Sequence, residues 1–276
     1  MKTVLSIAGY DPSSGAGVTA DLMVFAAHGL FGTSCITALT VQSTVGVRSV
    51  NPVSANLVAE TLTCLEQDLP PAGIKIGMLA TSDNVQAVLD YVERLRDGGR
   101  VVPIVLDPVV RSSSGSALLD KPGIQLLRAG LLGAVDWITP NIAELELLSG
   151  ILVHSSEDVP KACRALQEQI ASAAGRRPGI LAKGGHMQKP DDYLLEQWGR
   201  EVWLGGERVE TKSTHGTGCA LSSAFLSQMV IGRGPEDAAR RAKAYVTGAL
   251  RAAVPMGAGA GPLNHLWESV KVQDAG

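Results

Sequence analysis

The chain has few aromatic residues, four scattered cysteines and no long apolar run, and each shortage excludes a class of protein. Aromatic side chains make up 4% of the 276 residues, so small aliphatic side chains must fill the core, as in helices packed closely on a parallel sheet. The cysteines, which form no Cys-x-x-Cys pair and so indicate neither a zinc site nor a disulfide framework, are Cys35, Cys64, Cys163 and Cys219. No apolar stretch reaches the length of a membrane span.

The sequence also lacks a long run of residues that carry the same charge. The chain has 24 basic against 27 acidic residues, and its densest basic cluster, Arg240, Arg241 and Lys243, is typical of a solvated helix face. We therefore expect neither nucleic acid nor a membrane as a partner. The first eight residues are too short an apolar run for a signal peptide. Together with unpaired thiols, which suit a reducing compartment, this predicts a cytoplasmic protein.

Short apolar runs alternate with segments of helical periodicity along most of the chain. The predicted strands are residues 3–8, 33–41, 73–79, 101–106, 135–138 and 179–183. The predicted helices are residues 16–28, 54–68, 82–97, 121–132, 141–148, 157–174, 217–231 and 235–254. This alternation predicts an α/β fold with a mostly parallel central sheet and helices on both faces. We expect a single domain over residues 1–276.

One segment breaks the alternation. Residues 191–197 and 200–210 flank Trp198-Gly199 and have the pattern of an antiparallel hairpin. The hairpin comes shortly before the glycine-rich motif described next. Since water must be excluded from a reacting phosphate, the segment is predicted to be a small mobile flap.

The sharpest local motif is a glycine-rich turn directly before a long helical segment. It contains Gly216, Thr217, Gly218 and Cys219. Free backbone N–H groups at a helix start attract anions, and glycines allow a phosphate to approach the backbone closely. In that interpretation the positive end of the helix favours the Cys219 thiolate. The same residues also fit an ordinary N-cap with a small buried cysteine, so both interpretations stay open.

A second glycine motif, Gly15-x-Gly17-x-x-Ala20, nominally matches a dinucleotide fingerprint. Six residues separate it from the preceding strand, where the fingerprint needs a tight turn. No acidic residue occurs between Asp21 and Glu60 to hold a ribose. The chain also has no Gly-Lys-Ser/Thr sequence, which excludes a P-loop.

Polar side chains follow several of the predicted strands. They are Gln42, Asp107, Asn141 with Glu144, and Lys183. Because ligands of open α/β sheets bind beyond the carboxyl ends of the strands, these are candidate site residues. Spacing alone also allows a plain capping box for Asn141 and Glu144 and an exposed turn lysine for Lys183.

In this order, the segments resemble the hydroxymethylpyrimidine and phosphomethylpyrimidine kinases of thiamine biosynthesis, which belong to the ribokinase-like superfamily. The resemblance covers the chain from Gly9 to Lys243, and the ordered set is specific although no single piece is. The matching pieces are Gly9-x-Asp11, Gly15-Ala16-Gly17, Ala20-Asp21-Leu22, Thr37-Ala38-Leu39-Thr40-Val41-Gln42, Lys75-Ile76-Gly77-Met78-Leu79, Asp107-Pro108-Val109, Thr139-Pro140-Asn141 with Glu144, Lys183-Gly184-Gly185-His186 and His215-Gly216-Thr217-Gly218-Cys219.

The resemblance implies a ribokinase-like fold, a homodimer, and the use of ATP and Mg²⁺. Phosphate would pass first to the alcohol of a small heteroaromatic substrate and then to its monophosphate. The implied substrate-binding residues are Gly9, Asp21, Gln42, Met78 and Val109. Gln42 would hydrogen-bond the pyrimidine, which suits an amide that can donate and accept at once.

The resemblance also implies roles for the residues around the phosphates. The implied catalytic residues are Cys219, which stands where related sugar kinases have a catalytic aspartate, with Gly216, Thr217, Gly218 and Lys183. The implied nucleotide-binding residues are Lys183, Thr217 and Lys243. The residues implied to hold Mg²⁺, through water and phosphates, are Asn141, Glu144 and Asp107.

The sequence departs from the family pattern at Tyr10, Ser43 and Ala220. Of these, Tyr10 and Ser43 flank the implied substrate pocket and bear on the substrate more than on the reaction class. Related pyridoxal and pyridoxine kinases include a cysteine-containing branch, so a vitamin B6 kinase is the alternative. A vitamin-binding sensor without activity is a remoter alternative, which the joint presence of Cys219 and Lys183 argues against. A cysteine hydrolase is disfavoured because His215 is too close in sequence to face Cys219.

Overall fold

One mixed β-sheet organises the computed structural model, which describes residues 1–112, 115–185, 187 and 189–270, with residues 269 and 270 as backbone only. Its strands are β1 (Thr3–Tyr10), β2 (Phe31–Ser43), β3 (Gly46–Pro52), β4 (Ile74–Ile76), β5 (Ile104–Leu106), β6 (Trp137–Ile138), β7 (Gly179–Ala182), β8 (Asp192–Leu195) and β9 (Glu201–Leu204). Their spatial order is β3-β2-β1-β4-β5-β6-β7-β8-β9. The six strands from β2 to β7 in this order are mutually parallel, as the alternation predicts.

Ten helices of the described residues connect and cover these strands. They are α1 (Gly17–Ala27), α2 (Ala55–Asp68), α3 (Ser82–Asp97), α4 (Lys121–Leu126), α5 (Leu132–Ala134), α6 (Ile142–Ser149), α7 (Asp158–Ala174), α8 (Thr217–Val230), α9 (Pro235–Arg251) and α10 (Trp267–Val270). A π-helical turn, Leu127–Leu131, joins α4 to α5. Local sequence sets several ends: the Ser54 and Thr81 side chains cap α2 and α3, and left-handed Gly150 ends α6.

Two apolar cores lie on opposite faces of the sheet. Alternate residues of a strand serve different faces: in β5, Ile104 and Leu106 join one core, whereas Val105 joins the other. The first core packs against α2 to α7 and the second against α1, α8 and α9. This double cover explains the continuously apolar strands of the sequence, and it leaves the carboxyl ends of β4 to β7 as the place where polar side chains meet.

The predicted antiparallel hairpin exists, but its first strand lies in the core and not in a peripheral flap. Strands β8 and β9 pair with each other around the Trp198-Gly199 turn, and β8 pairs with β7. All four residues of β8 are buried. Tyr193 and Leu195 belong to the first core, so the hairpin extends the central sheet instead of covering the site.

The opposite edge of the sheet carries a hairpin that the sequence pattern does not predict. Strand β3 runs antiparallel to β2, and its residues are half-buried or exposed. Leu39, Val41 and Val45 are exposed apolar side chains of this hairpin. No helix of the described residues is long and apolar enough to cross a membrane.

Candidate active site

The start of α8 presents unpaired backbone donors, as one of the two interpretations of the glycine-rich motif requires. Gly216 precedes the helix in the left-handed conformation, with φ 80°, and no side chain caps it. Within the described part of the chain, no carbonyl accepts from the amides of Gly218 and Cys219. The Thr217 hydroxyl donates to the Thr214 carbonyl, at 2.7 Å. Two free N–H groups at the positive end of a 14-residue helix form an anion-binding position.

An ion pair lies beside these amides. Asp107 follows β5 and Lys183 follows β7, and Lys183 Nζ is 2.6 Å from Asp107 Oδ1. Although burial disfavours the ammonium, Asp107 and Glu144 raise the pKa of Lys183. A methyl group added at Gly218 would lie 3.1 Å from Lys183 Nζ, so the ammonium stands next to the free amides. His186, the last residue of the Lys183-Gly184-Gly185-His186 motif, lies outside the described residues.

Asn141 and Glu144 form the capping box that their spacing allows. The Asn141 side chain accepts from the Glu144 amide, and the Glu144 carboxylate accepts from the Asn141 amide, both at 2.9 Å. Burial raises the pKa of Glu144 to about 7, with Lys183 opposing the rise and Asp107 adding to it. The capping box therefore fixes this carboxyl group beside the Asp107–Lys183 pair.

Cys219 occupies the first turn of α8, where its burial opposes the thiolate that the helix field favours. Burial raises the pKa of its thiol, and Asp107 and Asp21 add to that rise, against the opposing effects of Lys75 and the Gly17 amide. Desolvation therefore outweighs the field of the helix. The residue as a whole is partly exposed, so a substrate hydroxyl can still approach it.

Asp21, which the resemblance implies as a substrate-binding residue, is fully buried in this structure. Its side chain and that of Lys75 have no exposed surface, and Lys75 Nζ is 2.9 Å from Asp21 Oδ2. Hydroxyl groups of Ser6 and Ser223 also donate to the carboxylate, at 2.6 and 2.7 Å. Ser223 lies one turn after Cys219 on α8, so this buried pair supports the floor of the site.

The other predicted substrate residues do come together. A methyl group at Gly9 would lie 2.9 Å from Met78 Sδ, and Val109 packs on the small cluster that contains Met78. Gly9 and Gln42 are the next-to-last residues of β1 and β2. The four residues share the carboxyl end of the sheet and offer an apolar wall with one half-buried amide.

Sequence reasoning missed the residue that Gln42 contacts. His215 Nε2 is 2.9 Å from the Gln42 amide nitrogen and 2.7 Å from Asp11 Oδ2. Burial alone would raise the pKa of Asp11, but hydrogen bonds from His215 and Ser13 lower it below its ordinary value. Both Asp11 and His215 stand in motifs of the family pattern, which was the available signal, but 204 positions separate them.

Lys243 lies at a separate cleft on α9. Its ammonium donates to the Pro190 carbonyl and to Asp192 Oδ2, both at 2.7 Å. It lines a cleft of about 360 Å³ together with Gly205, Gly206, Arg240 and others. The cleft has the size of a small-ligand site and is bordered by basic side chains.

Two of the four cysteines have exposed surface: Cys64 is exposed and Cys219 is partly exposed. Burial raises the pKa of Cys35 to about 12 and raises that of Cys163 still further above its ordinary value, and both are buried. We expect iodoacetamide to label Cys64 first without loss of activity. Labelling of Cys219 should be slower and should inactivate the protein.

Mass mapping of a time course on the wild type and on Cys64→Ser tests this expectation. ATP with substrate should slow labelling at Cys219 and leave Cys64 unaffected. Inactivation that follows Cys64 modification, and disappears in Cys64→Ser, would contradict the assignment of Cys219 to the site.

Comparison with known proteins finds kinases similar to this chain along nearly its whole length. Residues 11–264 match the family model described as phosphomethylpyrimidine kinase. The chain is 36% identical over 270 residues to the hydroxymethylpyrimidine/phosphomethylpyrimidine kinase of Haemophilus influenzae, which covers 96% of this chain and 97% of that relative. A phosphomethylpyrimidine kinase structure from Clostridium difficile is similar with a TM-score of 0.76 and 31% identity, covering 91% of this chain and 100% of the other.

Pyridoxal kinases share the fold as well. The ADP complex of the Staphylococcus aureus pyridoxal kinase has a TM-score of 0.84 and 26% identity, covering 97% of this chain and 94% of the other. The predicted fold class, a ribokinase-like sheet with helices on both faces, and the predicted phosphotransferase class are thus confirmed. With a family model that spans nearly all of its residues and relatives of equal length, this chain belongs to the phosphomethylpyrimidine kinase family.

Proposed function

We propose that this protein transfers phosphate from ATP to the hydroxymethyl group of 4-amino-5-hydroxymethyl-2-methylpyrimidine, and then phosphorylates the monophosphate to the diphosphate for thiamine biosynthesis. One observation carries the proposal. The free amides of Gly218 and Cys219, the Lys183 ammonium and the Cys219 thiol converge at the carboxyl end of the sheet. The names of the full-length relatives support the substrate.

In this proposal the chain acts by positioning and electrostatics. The substrate oxygen forms a bond to the γ-phosphorus while the bond to the ADP oxygen breaks, and negative charge spreads over the transferring oxygens. The free amides and Lys183 stabilise that charge. The Cys219 thiolate, a minor form at neutral pH because burial raises the pKa of the thiol, accepts the hydroxyl proton. Gly218 keeps the space between the amides and Lys183 open.

The residues present also fit a magnesium ion. Asp107 and Glu144 are carboxylates in the same electrostatic cluster, and Mg²⁺ is commonly held by one or two carboxylates together with substrate phosphates. Within the described residues, no three acidic, histidine or cysteine side chains form a complete metal site, which suits an ion that arrives with the nucleotide. Bound Mg²⁺ would offset charge on the phosphate oxygens, and the Asn141 capping box would keep Glu144 oriented.

The cleft beside Lys243 is proposed to take the far end of the nucleotide. Its glycines, Gly205 and Gly206, permit close approach of a ring, and Arg240 and Arg251 border it.

We also propose that the protein is located in the cytoplasm and consists of one kinase domain. A homodimer is proposed too, because the β2–β3 hairpin carries exposed Leu39, Val41 and Val45, and large exposed apolar patches mark interaction sites.

A parallel assay tests the substrate. Purified protein with Mg-ATP should release ADP with the pyrimidine alcohol and with its monophosphate, and more slowly with pyridoxal. Preference for pyridoxal would support the vitamin B6 alternative, which the similarity in fold to pyridoxal kinases also suggests. Binding without any ADP release would support a sensor.

Replacing Gln42 by leucine should weaken recognition of the ring. The change leaves polar groups of the ligand unpaired in a dry pocket, which costs about 1–3 kcal/mol, or roughly five- to 150-fold in kcat/KM. Pyridoxal presents a different ring edge, so its kcat/KM should fall less. The measurement is the ratio of the two specificity constants before and after the change. An unchanged ratio would mean that Gln42 does not bind the ring.

A further inference from the structure

His215 connects two parts of the site that lie far apart in sequence. Its Nε2 atom is 2.7 Å from Asp11 Oδ2 and 2.9 Å from the Gln42 amide. The Asp11 side chain is 5% exposed and that of His215 16%, so neither partner is freely solvated. The single ring nitrogen therefore serves both neighbours in a shielded position.

The proton on that nitrogen follows from its neighbours. Asp11 is a carboxylate that already accepts from the Ser13 amide and hydroxyl and from the Ala16 amide. A carboxylate cannot donate, so a contact of 2.7 Å requires His215 Nε2 to carry a hydrogen. This holds for both the neutral ring and the imidazolium.

The orientation of the Gln42 amide group follows from this protonation of His215. A protonated Nε2 cannot accept, so the Gln42 atom at 2.9 Å has to be the amide oxygen, which differs from the nitrogen only by a rotation of the amide group. The Gln42 NH₂ group is left without a partner on His215. An amide that could otherwise donate or accept becomes a donor for whatever binds beside it.

We propose that His215, held by Asp11, is a positioning residue that fixes Gln42 as a hydrogen-bond donor, so that the pocket selects a ring with an acceptor nitrogen at that edge. The inference rests on the proposed function for the identity of that ring. It narrows the role of Gln42, because the exocyclic amino group of the substrate must then be recognised elsewhere.

The surrounding backbone holds His215 in place. A methyl group at Gly15 would lie 2.1 Å from His215 Cδ2, so the ring rests directly on that glycine. The His215 amide donates to the Gly261 carbonyl at 3.0 Å. The Asp11 carboxylate is fixed by its three donors on the Pro12–Ala16 turn. These contacts keep the ring from rotating away from Gln42.

Three variants and two substrates test the proposal. His215→Leu removes the donor, His215→Gln keeps an N–H near the position of Nε2, and Gln42→Leu removes the amide as a reference. The substrates are the aminopyrimidine alcohol and an analogue with C–H in place of the ring nitrogen beside the amino-bearing carbon. His215→Leu should lower kcat/KM for the parent compound about three- to tenfold through KM, and should leave the analogue unchanged. His215→Gln should retain most of the wild-type value.

Equal losses on both substrates in His215→Leu, a fall in kcat alone, or no effect would overturn the proposal. A separate readout does not depend on the substrate. Long-range ¹H–¹⁵N correlation spectra of the wild type, assigned with His215→Gln, should show a protonated Nε2. A protonated Nδ1 with a bare Nε2 would overturn the inference even if the protein phosphorylates the pyrimidine. Wild-type protein that ignores the pyrimidine but shows Nε2–H would instead refute only the proposed substrate.

Discussion

Replacement of Cys219 by alanine should lower turnover by about 10²–10⁴-fold, the range that a general base contributes, and leave substrate affinity within several-fold of the wild type. Cys219 stands at the anion-binding start of α8 and is partly exposed. It is therefore placed to meet the reacting hydroxyl and not to hold the ring. Steady-state kinetics with calorimetric binding separates the two effects.

If Cys219 is the base, kcat should increase with pH. Burial raises the pKa of the Cys219 thiol above its ordinary value, and only the thiolate can accept a proton. The active fraction is therefore small at neutral pH and grows as pH rises toward that pKa. Wild-type kcat should climb on the alkaline side, whereas Cys219→Ala should lack the climb.

Cys219→Ser provides the matched control, because serine keeps a group of similar shape that can still accept a hydrogen bond. Its turnover should lie between those of the wild type and the alanine variant. If Cys219→Ala instead retains near-wild-type turnover with the same alkaline climb, Cys219 is not the base. Catalysis would then depend on the amides and Lys183 alone.

Changing Lys183 to methionine should reduce kcat by about 10²–10³-fold, as the loss of one donor to a developing anion does. Nucleotide affinity should fall less. The ammonium stands beside the free amide of Gly218, where charge builds on the transferring phosphoryl group. Stopped-flow measurement of ADP formation, with ADP binding measured separately, distinguishes the two.

The same variant should also be less stable, since Asp107 is 2% exposed and loses its partner at 2.6 Å. Removing one member of a buried pair typically costs about 3–5 kcal/mol, a cost that Asp107 can lessen by protonation. The double variant Asp107→Asn with Lys183→Met removes both charges. It should recover much of the thermal stability and none of the activity. Recovery of activity in the double variant would show that the loss in Lys183→Met came from misfolding.

The sequence by itself determined those features that local interactions control. The apolar runs predict the parallel strands β1, β2, β4, β5, β6 and β7, and the spacing of Asn141 and Glu144 predicts their capping box. The glycine turn before α8 likewise predicts free amides at a helix start. In each case the interacting groups lie within a few residues, so backbone geometry alone brings them together.

Only the tertiary structure decided which polar groups are buried and what they contact. Asp21 pairs with Lys75, 54 residues away in sequence, and His215 pairs with Asp11, 204 residues away. The periodicity of a sequence does not predict contacts between residues so far apart. The pKa of Cys219 depends on desolvation by several elements packed around α8, which outweighs the helix field that the sequence suggests. The hairpin at β8 has the pattern of a flap, but its pairing with β7 places it in the core. Burial and charge at a site are properties of the assembled neighbours, so they appear only when the sheet has brought its strand ends together.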